Sequence, residues 1–414
     1  MVTDQCRGQR RSVVTLAAAA VVLLSLIGSN PGAAAKDEVR ALWVVRTTLV
    51  SPAAVETLVK TARAGGFNTL LVQVRGRADA YYTDALEPRP LSLARQPSFD
   101  PLSVVIDRAH LVGMKVHAWV NVNLVAGPNE LPAARDHVVY RHPEWLMVPR
   151  ALAADLVKAV PTSPQYLGRL SRYARSQPDQ VEGLYLSPIA PGAADYTAGI
   201  VRNIVERYKV DGVHLDYARY PNEDFDYSRE ALAAFRRSVI GELAAATQRG
   251  YDQRLATEPL IYTQAFPERW RAFRTDQLTA LVAKLRDTVK TARPFATVSA
   301  AVGPDIAEAS GRRFQDWRTW LGRDLIDVVC PMAYTTDAAT FRAQVAAARV
   351  IAGTHPLWAG IGAYRMSQEE IVAHVQAARR LGVGGVILFS YDSMTGPTRG
   401  PEYLAEVGRA LFMQ

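Results

Sequence analysis

The chain has 414 residues, 49% hydrophobic and 21% charged, with 27 Gly and 24 Pro; this excludes a disordered or collagen-like polymer and allows one large domain whose core needs no covalent staples. Two cysteines, Cys6 and Cys330, exclude a cysteine-rich zinc module. The net charge of +8 is scattered Lys and Arg rather than a basic block, which suits solubility or an anionic polymer and, in an exported chain, argues against nucleic acid as a partner.

The first element in chain order is a leader. Arg7, Arg10 and Arg11 precede an apolar run from Val13 to Ile27, Gly28-Ser29-Asn30-Pro31 breaks it, and Ala33-Ala34-Ala35 offers a small-residue cleavage site before Lys36. The apolar run falls short of the roughly 20 residues a membrane span needs. Residues 1–35 are therefore expected to be a signal peptide, and 36–414 one exported domain, periplasmic or extracellular, with no span left after cleavage.

Beyond the leader, strand-like runs alternate with helix-like ones. The strand-like runs are ALWVV (41–45), TLLVQVR (69–75), KVHAWVN (115–121), GVHLDY (212–217), ATVSAAV (296–302), DVVCPMAY (327–334), PLWAGIGAY (356–364) and GVILFSY (385–391). Apolar spacing near 3.6 marks helices at 52–66, 101–113, 196–208, 277–292 and 368–382. Eight such alternations predict an α/β fold of the (β/α)8 TIM-barrel type. A doubly wound open sheet is the other architecture, but no G-x-G-x-x-G or phosphate loop follows a strand. Long insertions after strands 3 and 4, at 122–195 and 218–276, stand on the side where strands end, where a substrate groove is expected.

Strand alternation sorts the polar residues. In VHLD (213–216) His214 and Asp216 share one face, and Val213 and Leu215 the other. The polar pair is expected inside the barrel, near the strand ends where barrel enzymes hold their catalysts. The same parity groups His117, Trp119 and Asn121, then Gln73 with Arg75, and Met332 with Tyr334. An inward Asp216 beside Tyr217 and Tyr220 can be raised by desolvation toward a general acid, whereas a salt bridge to Arg219 would lower it. His117 and His214 could join Asp216 as metal ligands, but the His-x-His pair expected from a first strand is missing from WVVRTT (43–48). They are read as hydrogen-bonding groups for substrate, or else as satisfied core histidines; no metal or cofactor is expected. Trp119 and Tyr334, sharing parity with polar residues, are the aromatics expected to stack on a sugar ring.

The segments RALWVV (40–45), FNTLLVQVR (67–75), FDPLSVVIDRAHLVGMKVHAWVN (99–121), HPEWL (142–146), YKVDGVHLDYARYP (208–221), IDVVCPMAY (326–334) and AGIGAYR (359–365) resemble the glycosyl-hydrolase-10-like family of bacterial envelope proteins, which is distinct from the xylanases of family ten. The resemblance implies a barrel that cleaves glycosidic bonds in a cell-envelope polysaccharide, peptidoglycan glycan strands or another N-acetylhexosamine polymer. It places the acidic residue of strand four at Asp216, next to His214, and the polar cleft at Gln73, His117, Trp119, Asn121 and Tyr334. The chain departs from the family pattern at Tyr217, where many members carry a second Asp, at Ser187-Pro188 in place of Asp-Pro, and at Met332 in place of Gln.

Glycosidases generally use two carboxyls. The expectation is that Asp216 protonates the leaving oxygen while a second carboxyl, Asp392 or Asp79, or the substrate's own N-acetyl group, acts at the anomeric carbon. Gln73, Arg75, His117, Trp119, Asn121, His214, Arg219 and Tyr334 are expected to bind substrate. A non-catalytic glycan-binding barrel and a metal-dependent deacetylase of the same polymers are the readings from other classes.

Overall fold

The computed structural model describes residues 37–413 except Pro401, so the leader read at 1–35 lies outside the described residues. Eight strands form the barrel: β1 (Val39–Val44), β2 (Thr69–Arg75), β3 (Lys115–Asn121), β4 (Gly212–Asp216), β5 (Thr297–Val302), β6 (Val328–Ala333), β7 (Trp358–Ile361) and β8 (Gly385–Phe389). Each pairs in parallel with its neighbours in chain order, and β8 closes onto β1 with Trp43 opposite Phe389. These are the eight runs the sequence predicts, with β2 and β3 at the expected bounds, β1 starting two residues earlier and the others trimmed at their ends. The fourth stops at Asp216 because Tyr217 takes a left-handed backbone, φ 52°, which no extended strand can contain.

Helices α1 (Pro52–Ala64), α2 (Pro101–Leu111), α3 (Ala193–Arg207), α4 (Pro267–Ala292), α5 (Trp317–Gly322), α6 (Ala338–Ala352), α7 (Gln368–Arg380) and α8 (Tyr403–Phe412) follow the strands in turn. Their starts are written in the sequence as oxygen-bearing caps: Ser51 accepts the amide of Ala54, Asp100 that of Ser103, and Ser367 forms a reciprocal box with Glu370. Their apolar faces pack on the outward residues of the strands, such as Leu42, Val72, Val116, Val213 and Leu215, all fully buried. Among the described residues no helix is long and apolar enough to cross a membrane.

A separate cluster fills the barrel: Ala41, Trp43, Leu71, Trp119, Val328, Cys330, Trp358 and Ile387. Its three indoles fit because smaller residues face them. A Cβ on Gly360 would come within 2.8 Å of the Trp43 ring, so glycine there lets Trp43 lie across the interior.

Both long insertions are present above the strand ends. The first contains an antiparallel ribbon, Leu124–Ala126 with Leu184–Tyr185. The second carries helices Arg229–Ile240, Ala245–Arg254 and Ile261–Ala265. They share a core of their own, in which Ala153 and Ile189 of the first meet Tyr227, Phe235, Val239, Ile261 and Trp270. The insertions are thus a packed cap on one face of the barrel.

Candidate active site

Register builds the site. Pairing of β3 with β4 puts Trp119 beside His214 and Asn121 beside Asp216, and pairing of β2 with β3 puts Gln73 beside Trp119. The chain past β3 continues this ladder, since the amides of Val122 and Asn123 donate to the carbonyls of Asp216 and Tyr217. A cavity of about 490 Å³ opens over these strand ends, and Gln73, Trp119, Asn121, Asp216, Arg219 and Tyr334 all line it.

Asp216 is 6% exposed. Its Oδ1 accepts the Tyr217 amide at 2.6 Å and faces Arg219 Nη1 at 3.4 Å, while its Oδ2 accepts the Trp119 indole at 3.2 Å. Burial pushes its carboxyl above the ordinary aspartate value, and the opposing pull of Arg219, the Tyr217 amide, the Trp119 indole and Arg77 only partly offsets it. Both effects foreseen for Asp216 are present, and desolvation wins.

A polar chain runs along one wall. Arg46 Nη1 donates to Gln73 Oε1 at 2.9 Å, Gln73 Nε2 to Asn121 Oδ1 at 3.4 Å, and Trp119 Nε1 to the same Asn121 oxygen at 3.0 Å. Opposite stand aromatic faces: Tyr334 stacks on Phe389 with centroids 5.4 Å apart, and Trp43 meets both rings edge-on. The Arg219 guanidinium lies over the Tyr217 ring, 3.9 Å from its centroid, and its buried Nε–H has no protein acceptor.

Three expected substrate ligands sit elsewhere. His214 is fully buried below the cavity: its Nε2 accepts the Trp43 indole at 3.0 Å, and its Nδ1 faces Ser299 Oγ at 2.9 Å. Burial, with His117 nearby, holds its pKa down at about 3. His117 lies one layer deeper against Trp358, and burial lowers it to about 4. Neither lines the cavity; at that depth they are core histidines. Arg75 is turned out of the cleft by a bulge, because the register slips after Gln73 and sets Arg75 opposite Val120. There it makes a buried two-pronged pair with Glu87 at 2.7 and 2.8 Å and also donates to the carbonyls of Asn121 and Val122.

Neither expected second carboxyl lines the cavity. Asp392 ties strand ends together, with Oδ2 accepting the Val45 amide at 2.9 Å and Oδ1 the Thr48 hydroxyl. Asp79 shapes the loop after β2, accepting the amides of Gly76 and Arg77 and pairing with Arg46 at 3.4 Å. The loops add groups that strand parity could not reveal: Arg46, Arg77, Tyr217, Glu182 and Arg313. Glu182, from the first insertion, accepts the Tyr185 hydroxyl at 2.6 Å and pairs with Arg313 at 3.4 Å and Arg219 at 3.7 Å. Among the described residues no group of three or more His, Cys, Asp or Glu is placed to hold a metal ion.

A closed parallel barrel, with an acidic residue at the end of β4 inside an aromatic-walled cavity at the strand termini, defines the class of glycoside-hydrolase-like TIM barrels. The family model described as Glycosyl hydrolase-like 10 matches residues 38–370, and the chain belongs to that family. It is 23% identical over 290 residues to glycosyl hydrolase YngK of Bacillus subtilis (strain 168), covering 65% of this chain and 46% of that protein. It is 26% identical over 297 residues to glycosyl hydrolase DigH of Escherichia coli (strain K12), covering 65% and 55%. The chain therefore spans about half the length of these curated relatives. Similar solved folds include the PgaB (BpsB) glycoside hydrolase domain from Bordetella bronchiseptica, with TM-score 0.60, 16% identity and coverage of 91% of this chain and 99% of that one. The catalytic domain of a Paenibacillus polymyxa beta-amylase gives TM-score 0.58 at 10% identity, covering 92% and 99%.

Proposed function

We propose that the chain is an exported glycoside hydrolase that cleaves glycosidic bonds within a cell-envelope polysaccharide, with Asp216 as the general acid. The observation that carries this reading is the placement of Asp216: a carboxyl raised by burial, at the end of β4, lining the cavity with Trp119 and Tyr334. Burial favours the protonated form, the one a leaving glycosidic oxygen needs. Flat aromatic faces and amide donors from Gln73 and Asn121 suit a pyranose with amide or hydroxyl substituents. The family and the named activity of its relatives support hydrolysis. The leader pattern supports export, and with it an envelope glycan such as peptidoglycan strands or another N-acetylhexosamine polymer.

Mass spectrometry of soluble products after incubation with peptide-free peptidoglycan glycan strands tests this, with Asp216→Asn in parallel. Fragments from wild type and none from the variant are expected. Equal turnover by a folded Asp216→Asn variant would remove Asp216 from the role of acid. One observation favours a second reading, a glycan-binding barrel without hydrolysis: Tyr217 stands directly after Asp216, where many members of the family carry another Asp. That reading predicts retained binding of the strands by both proteins and fragments from neither.

A further inference from the structure

We propose that Glu182 is the second catalytic carboxyl of the cavity, the base that takes a proton from the water attacking the anomeric carbon. The inference rests on the glycoside-hydrolase reading and identifies the group that acts opposite Asp216.

Glu182 comes from the loop between β3 and α3, and its backbone is pinned. The next residue, Gly183, has φ +153°, and an added Cβ would lie 1.9 Å from the carbonyl oxygen of Ala126. Only glycine lets the ribbon close there, and closing it delivers Glu182 to the cavity wall. The side chain is then held by the Tyr185 hydroxyl on Oε2, while Oε1 faces both Arg313 and Arg219. Arg219 touches both carboxyls, Asp216 through Nη1 and Glu182 through Nη2. A guanidinium contacting each through a different nitrogen sets both carboxyls at one cavity, and a base that acts through a water rather than on C1 itself makes them an inverting pair.

The environments also separate the two groups chemically. Burial raises Asp216. Burial acts on Glu182 in the same sense, but Arg219, the Tyr185 hydroxyl and Arg313 together bring it below the ordinary glutamate value. The two environments thus push the pair apart, Asp216 toward the acid form and Glu182 toward the base form. The other cavity carboxyls do not compete: Asp305 and Glu308 are exposed on the rim, and Asp305 caps its own helix through the amides of Ala307 and Glu308. In the reaction the C1–O bond breaks as Asp216 gives its proton to the leaving oxygen. The water oxygen bonds to C1, and its proton passes to Glu182. Proton exchange with solvent restores both groups.

The test uses the purified protein on peptide-free peptidoglycan glycan strands, reading initial rates and, by NMR, the anomer first formed. Wild type is expected to invert. Glu182→Gln, which keeps an acceptor for Tyr185, is expected to lower kcat by about 10²–10⁴-fold while KM moves by less than about threefold. In Glu182→Ala, azide is expected to enter the vacated space and restore turnover, its nitrogen bonding to C1 to give an inverted glycosyl azide. Retention by wild type overturns the proposal, as does a Glu182→Gln kcat within about threefold of wild type. So does an absence of azide product from Glu182→Ala with a wild-type melting midpoint; where the alanine variant fails to fold, the glutamine variant decides. Cleavage by wild type with no dependence on Glu182 sinks this proposal alone, whereas no cleavage by wild type sinks the hydrolase reading with it.

Discussion

His214 and Asp216 stand two residues apart on β4, face the same side of the strand and are both buried, yet their surroundings differ in kind. Around His214 both ring nitrogens meet neutral protein partners, Trp43 and Ser299, so the ring stays uncharged and the layer is closed. Around Asp216 the partners are a cation, an amide and an indole, the carboxyl lines a cavity, and the neighbouring Arg219 retains an unused donor. One step up the barrel separates a closed polar core residue from a carboxyl that lines the cavity. Residue type does not make that distinction, because histidine is the commoner catalyst in general; depth below the strand ends does.

The sharpest way to break this contrast is to neutralise each layer in turn. Asp216→Asn is expected to lower kcat/KM by about 10²–10⁴-fold with the melting midpoint close to wild type, because the amide has the shape and neutrality of the protonated carboxyl. A fall in melting midpoint matching the loss of activity would make Asp216 structural after all, and would put both layers in one class.

Next in size is Glu87→Ala. It strands the Arg75 guanidinium, which is 0% exposed, and breaking such a buried pair costs about 3–5 kcal/mol. Denaturant unfolding should show that loss, and KM of the folded protein should stay at the wild-type value. A raised KM with little loss of stability would return Arg75 to the cleft. Smaller again is His214→Leu, which leaves the Trp43 indole and the Ser299 hydroxyl without their partner, a cost of about 1–3 kcal/mol. Calorimetry on that variant, beside its kcat, checks whether the lower layer is structural; a hundredfold drop in kcat at unchanged stability would contradict it.

The same contrast explains what the sequence could disclose. All eight strands were legible because a barrel strand carries apolar residues on its outer face and a period of two on its inner one, and parity set Trp119, Asn121, His214 and Asp216 inward. Parity carries no depth, so His117 and His214 look equivalent to Asp216 until the layers are stacked. It also assumes unbroken alternation, which the bulge after Gln73 violates, and so Arg75 was assigned to the wrong side. Glu182 was invisible for another reason. It lies in an insertion of irregular backbone, where no period links a residue to the cavity, and the only local sign of constraint is Gly183, whose meaning depends on a carbonyl some 57 residues earlier in the chain, that of Ala126. Asp79 and Asp392 were reasonable as carboxyls at strand ends, but amides and hydroxyls of the adjoining turns occupy their oxygens.

The two layers also differ in the sign of their pH dependence. Burial depresses His117 to about 4 and His214 to about 3, so below the unfolded histidine value near 6.5 the unfolded chain binds protons that the folded chain refuses. Stability is fully present above that value and falls as pH drops, by about 1.4 kcal/mol per unit for each histidine, until the folded values are reached. Asp216 acts the other way. Its folded value is raised, so the folded chain holds a proton the unfolded chain has released, and stability falls as pH rises from the unfolded aspartate value through the folded one. From the unfolded aspartate value near 3.9 up to the raised folded one, the two contributions oppose each other. His214→Leu should therefore flatten the acid-side loss measured by urea unfolding across that window, and Asp216→Asn should steepen it. Parallel shifts in both variants would mean that the two groups share one environment, contrary to the partners seen around each.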